Sequence, residues 1–172
     1  MKTTDSNEWF RSMHDHLLDL AGQDFGYPLG VNRLREPQFM RTATVPPHLD
    51  RLYSLCDGMS LPDVHIGYFL DAASRTATAA DRGEPTVVVR ESEFPIHVFG
   101  SDGGGGRFAL ALHDGSVYYL PASGAVEAGR FIEDGASPAR VLATSVSEFL
   151  NRLLEDVRAF VRGDGRHEYM VP

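Results

Sequence analysis

The chain has 172 residues, 42% of them hydrophobic and 23% charged, with a formal net charge of −8 and a single cysteine, Cys56. A chain of this length buries roughly 70% of the surface it exposes when unfolded, so one ordinary domain is expected, with no need of a disulfide or structural metal. Fifteen of the sixteen basic residues are arginine and the balance is acidic, which argues against general attraction to phosphate backbones and so against direct nucleic-acid binding.

No apolar run approaches the ~20 residues that span a bilayer, and the start Met1–Glu8 lacks the basic and then hydrophobic order of a signal peptide. A cytoplasmic protein with no membrane partner is the expectation. No period of ~20 to 50 residues repeats, so the sequence reads as one α+β domain over residues 1–163 followed by a tail over 164–172.

The first predicted element is a helix from Ser6 to Ala21. Trp9, Phe10, Met13, Leu17, Leu20 and Ala21 recur at helical spacing behind an Asp5/Glu8 capping box, and Gly22 ends it. At that spacing with Met13 and Leu17, Trp9 reads as core rather than as a binding anchor. Gln23 to Thr44 shows no period and is left irregular. A short second helix follows, with Pro46 and Pro47 at its entry, Leu49, Leu52, Tyr53 and Cys56 on one face, and Gly58 where the chain turns left-handed.

Beyond it, short runs rich in Val, Ile, Tyr and Phe and bounded by Gly, Pro or Asp predict strands. They are Ile66–Asp71, Thr86–Arg90, Ile96–Phe99, Arg107–Leu112 and Ser116–Leu120, with Val141–Ala143 as a short edge strand. The expectation is a mostly antiparallel sheet of five to six strands. Asp114-Gly115 predicts a two-residue hairpin turn, and Ala73–Pro85 and Glu133–Arg140 read as exposed loops. The last element is an amphipathic helix. Val146, Phe149, Leu150, Leu153, Leu154, Val157, Phe160 and Val161 form its apolar stripe, Ser145 and Glu148 a capping box, and Gly163 its stop.

The residues that suggest chemistry are few. Gly103–Gly106 invites a phosphate-cradle reading, but no Lys-Ser or Lys-Thr follows, and a hairpin loop explains the run equally well. His14 and His16, two apart on a helix, point away from each other and cannot chelate one ion. His48, His65, His97, His113 and His167 are scattered with no Cys or carboxylate at ligand spacing. Cys56 sits at a helix C-terminus beside Asp57, where the dipole and the carboxylate both disfavour a thiolate. No catalytic residue, metal site or cofactor is expected.

Charge says more. Residues 57–114 carry four basic and nine acidic groups, and so hold most of the net charge. Asp57, Asp63, Asp71, Glu91, Glu93, Asp102 and Asp114 fall near strand ends or turns, where side chains tend to project into solvent. This is either a solvated surface that maintains solubility or an acidic face that steers a basic partner.

The order of these motifs resembles the SUKH superfamily, the group named after the Smi/Knr fungal cell-wall regulators and abundant in bacteria. Three stretches carry the resemblance: Val45-Pro-Pro-His-Leu-Asp-Arg-Leu-Tyr-Ser-Leu-Cys-Asp-Gly58; Ile96-His-Val-Phe-Gly-Ser-Asp with the glycines, Arg107-Phe-Ala-Leu and Asp114-Gly-Ser-Val-Tyr-Tyr119; and Val141-Leu-Ala-Thr-Ser-Val-Ser-Glu-Phe-Leu150. The polar-Gly step that often reads Asn-Gly in the family is Asp57-Gly58 here, and neither Gln23–Thr44 nor Ala73–Pro85 matches it.

The resemblance implies a non-catalytic domain with a sheet and packed helices. It also implies, as for many bacterial members, an immunity protein that binds and neutralises a toxin domain. The expected contact uses Asp57, Asp63, Asp102 and Asp114 against a basic groove, with Gly58 and Gly115 as structural turns and the protein a monomer or weak homodimer. A regulatory scaffold that binds endogenous proteins, or a small hydrolase whose site the sequence does not show, are the alternatives.

Overall fold

A computed structural model describes residues 6–38 and 44–164. In chain order the elements are α1 (Ser6–Ala21), β1 (Arg33–Leu34), a 3-10 turn (Pro47–Leu49), α2 (Asp50–Leu55), β2 (Met59–Leu61), β3 (Tyr68–Leu70) and α3 (Ala73–Thr76). A second 3-10 turn (Ala80–Arg82) leads to β4 (Val87–Val89), β5 (Phe94–Asp102), β6 (Arg107–Ala111), β7 (Val117–Leu120), β8 (Ala125–Glu127), β9 (Arg130–Ile132), β10 (Arg140–Ala143) and α4 (Val146–Val161). The fold is α+β.

The nine-residue β5 is the spine of the sheet. One of its edges pairs along its length with β6, which continues antiparallel through β7 to β10. The other edge is shared: Gly100–Asp102 pair with β3, whereas Phe94 and Pro95 pair with β4. From β3 the sheet runs on to β2 and β1, and from β4 to β9 and β8, β4 and β9 being parallel. The sheet is therefore mostly antiparallel, as expected, with β4–β9 its one parallel pairing among the described residues, but it has ten strands there rather than five to six. All six predicted runs contain strands, and the four additional ones are two or three residues long, too short to display a period.

Alternation along β6 and β7 shows that both faces are covered. Phe108, Leu110, Val117 and Tyr119 enter a core with Trp9, Met13, Leu52, Phe149 and Leu153 from α1, α2 and α4. Ala109 and Leu120 point the other way, into a smaller cluster with Val88, Ile96, Val98 and Phe131, over which the β4–β9–β8 extension folds. The helices form where their stripes predict. In α4 the Ser145 hydroxyl accepts a hydrogen bond from the Glu148 N–H at 3.2 Å, and Glu148 accepts in return from Thr144 N and Oγ1, one residue earlier than the simple capping box. Gly163, at φ 74°, follows its end. The Asp5 half of the other box, and the tail beyond Asp164, lie outside the described residues.

Two local expectations are corrected. The β6–β7 connection is a four-residue loop, Leu112–Gly115, closed by Ala111 N to Ser116 O at 2.8 Å and Gly115 N to Ala111 O at 3.0 Å. A two-residue type I′ turn needs positive φ at both central residues, and here Gly115 alone adopts it, at φ 78°. That turn occurs instead at Ala128-Gly129, φ 48° and 76°, between the paired Glu127 and Arg130. Nor is Ala73–Pro85 simply an exposed loop. It folds into α3 and a 3-10 turn and buries Ala73, Thr76 and Ala79, with the His97 ring hydrogen-bonded to the Thr76 carbonyl at 2.9 Å.

Candidate functional site

Of the four carboxylates expected to meet a partner, three are structural. Asp57 is buried and accepts a hydrogen bond from Ala73 N at 2.9 Å, which holds the start of α3. Asp63 is 9% exposed and accepts from Gly30 N and Asn32 Nδ2, which tie the 30–32 segment to the loop after β2. Asp102 is 6% exposed; one oxygen accepts from Gly104 N and Gly106 N, the other from the Tyr119 hydroxyl at 2.7 Å. The expectation that these three project into solvent is corrected. Turn carboxylates satisfy nearby N–H donors before they meet anything else.

Asp114 alone is open, its side chain 46% exposed beside His113 at 3.4 Å. Gly58 and Gly115 do occupy left-handed turns. A Cβ on Gly58 would stand 2.6 Å from the Leu70 carbonyl oxygen, and one on Gly115 2.7 Å from His48 Cδ2.

The glycine loop has an equally local explanation. The anion its N–H groups surround is the chain's own Asp102, and a Cβ on Gly103 would overlap the Ile66 carbonyl oxygen. Gly103 N donates to Gly67 O at 3.0 Å, so the run docks the loop against the turn before β3.

The buried titratable groups are likewise dispersed. Among the described residues no group of three or more His, Cys, Asp or Glu is placed to hold a metal ion. His97 has its imidazole pKa pushed down, chiefly by burial. His14 is exposed and His16 half-buried on α1, and His167 lies outside the described residues. Sequence reading missed the pair His65–Asp156, in which Nε2 and Oδ1 are 3.3 Å apart and Asp156 is fully buried on α4. A signal existed: Asp156 falls three residues after Leu153 and one before Val157, inside the apolar stripe rather than opposite it.

Cys56 is fully buried, and burial more than the neighbouring Asp57 pushes its thiol up to about 12. The thiolate is the nucleophile, so alkylation by iodoacetamide at about pH 8 is expected to label Cys56 only after denaturation. Rapid labelling of the folded chain would contradict this burial. Tyr53 and Tyr119 also have pKa values raised by burial. Such groups contribute stability below their unfolded pKa and lose it as pH rises, so the fold should weaken progressively from about pH 9 upward.

What remains exposed is more informative. At the N-terminal end of β5 an open cleft of about 460 Å³ is lined by Arg90, Glu93, Phe94, Pro95, His113 and Tyr118. The Phe94 ring lies 5.1 Å from that of Tyr118 and 5.5 Å from that of His113. The Arg90 guanidinium lies over the Tyr118 ring at 5.8 Å and is anchored to Glu133 at 2.5 Å and to the Ala139 carbonyl. Glu93 meets Arg130 with both side chains over 40% exposed, Asp114 stands 3.4 Å from the His113 ring, and Glu91, next but one to Glu93 in the chain, is exposed.

Other apolar side chains are exposed: Tyr27, Val31 and Ile66 at 54%, 77% and 48%, Ile66 lying against Gly103 and Gly104 just past β5. Tyr27 continues through Phe25 to Phe160, whose rings stack 6.0 Å apart, and Phe160 meets the His65 ring at 4.8 Å. No helix among the described residues is long and apolar enough to cross a membrane. No family model, curated protein or solved structure matches the chain.

Proposed function

We propose that this chain is a non-catalytic protein-binding domain of the SUKH type, acting in the bacterial cytoplasm as an immunity protein that binds and neutralises a toxin domain. The observation that supports the reading is the cleft beside β5. It combines aromatic side chains and an arginine, the residue types that dominate interface energetics, with carboxylates that no fold contact fully consumes. Glu93 lines it, Asp114 stands beside its His113 and exposed Glu91 lies two residues from Glu93, whereas the Arg90 in its wall is already paired with Glu133, so the surface suits a basic partner and speeds its approach. The acidic contact thus moves from Asp57, Asp63 and Asp102 to the cleft, and Asp114 stays in it.

The test is affinity capture of the tagged chain from lysate of its own organism at low and moderate salt, followed by co-expression with whatever partner is retained. One stoichiometric partner bearing a secreted toxin-type domain, and cells protected from that domain, is the expected result. Reversing charge at Glu91 and Asp114 together should slow association about 10- to 100-fold at low salt and much less at high salt. Several housekeeping partners would favour a regulatory scaffold. No partner, or an on-rate indifferent to those charges, would overturn the reading.

A further inference from the structure

We infer that the cleft beside β5 seats an arginine side chain of the protein partner, its guanidinium held against the Phe94 and His113 rings with Glu93 and Asp114 as counter-charges; this rests on the protein-binding reading above. The chain itself displays the arrangement once. Arg90 lies over the Tyr118 ring at 5.8 Å with the Glu133 carboxylate 2.5 Å from its Nε. Phe94, at the centre of the cluster, packs within 5.5 Å of His113 on one side and within 5.1 Å of Tyr118 on the other.

The cleft borders this second pair of rings too, with Glu93 in its lining and Asp114 standing 3.4 Å from the His113 ring. Among the described residues Asp114 forms one close charged contact, to His113, and the Ser116 N–H donating to it at 2.9 Å holds its carboxyl below the usual range. Glu93 shares its charge with Arg130, a residue 43% exposed that can turn aside.

The chemistry selects among occupants. An anion would meet the rim carboxylates, and a purely apolar side chain would desolvate them without compensation. A lysine ammonium is strongly hydrated and points its charge in no plane. A guanidinium is weakly hydrated, stacks on aromatic faces and presents its N–H fork edge-on to carboxylates, which is the geometry that rings flanked by acids can satisfy.

The experiment uses the full chain, 15N-labelled, titrated with acetyl-Gly-Arg-Gly-amide and with its citrulline counterpart, which keeps the shape and loses the charge. Saturable amide shifts confined to residues 90–94 and 112–118 are expected with the arginine peptide, and binding about five-fold or more weaker with citrulline. Two variants carry the attribution: Glu93→Gln with Asp114→Asn, which leaves the apolar packing intact, and Phe94→Leu, each checked for a native spectrum before titration. Both should weaken the arginine peptide several-fold.

Absent or non-saturating shifts, equal binding of citrulline, or full affinity in the double variant would overturn the assignment. A peptide that binds this way while capture yields no toxin partner would sink the immunity reading and leave the arginine seat standing. A captured toxin with a silent cleft would do the reverse.

Discussion

Asp102→Ala is expected to destabilise the fold by about 3–5 kcal/mol, lowering the melting temperature by roughly 10 °C in a domain of this size. The carboxylate accepts from three donors at 2.7–2.9 Å: Gly104 N, Gly106 N and the Tyr119 hydroxyl. Gly104 is exposed, so water replaces the lost acceptor there, but Gly106 and Tyr119 are buried and would be left with donors that nothing satisfies. The loop could not collapse to compensate, because Gly106 packs directly on the Tyr119 ring and Gly103 on the Ile66 carbonyl.

Asp102→Asn should fall between the two, its amide oxygen keeping one bond while its NH₂ faces the remaining donors. Urea unfolding of the three proteins measures this. A variant that unfolds within about 1 kcal/mol of the parent yet loses its partner would return Asp102 to the contact surface. The expected outcome is the opposite, a partner-binding loss only in proportion to unfolding.

That residue also shows where sequence reading stops. The sign and the location of the charge excess were legible, since nine acids in residues 57–114 are a matter of counting. Which of them face solvent depends on donors supplied from far along the chain: Asn32 for Asp63, 31 residues away, and Tyr119 for Asp102, 17 away. Periodicity says nothing about such pairs. Glu91, Glu93 and Asp114, in the same set of seven, have no comparable web of bonds and remain outward.

The helices were legible for the complementary reason. The stripes in Ser6–Ala21 and Val146–Val161 are four turns long and bear capping or stopping signals beside them. Strands of two or three residues, such as β1 and β8, hold no period to read. The Asp114-Gly115 turn failed on a finer point, because the dipeptide permits a type I′ turn but does not compel it. The closing pair Ala111–Ser116 left four residues to span, and one left-handed glycine sufficed.

Trp9 separates structure from function by a second large effect. Its ring is 1% exposed in the helix-side core, and Nε1 donates to the Leu150 carbonyl at 3.0 Å, linking helices whose contact residues are 141 positions apart. Trp9→Ala removes that bond and opens a cavity between α1 and α4, so a loss of about 3–5 kcal/mol is expected, and about half that for Trp9→Phe, which keeps most of the packing.

The residue is also the chain's single tryptophan, which makes its fluorescence a local reporter. It should emit at short wavelength in the folded protein and shift to the red only on unfolding. The arginine-peptide cleft lies at the end of β5 where the opposite face of the sheet is covered by the β4–β9–β8 extension, so saturating it should leave that emission unchanged. A shift on saturation would show that the peptide engages the helical face instead. It would move the contact surface toward exposed Tyr27, whose ring meets Phe25 and, through it, Phe160 on α4.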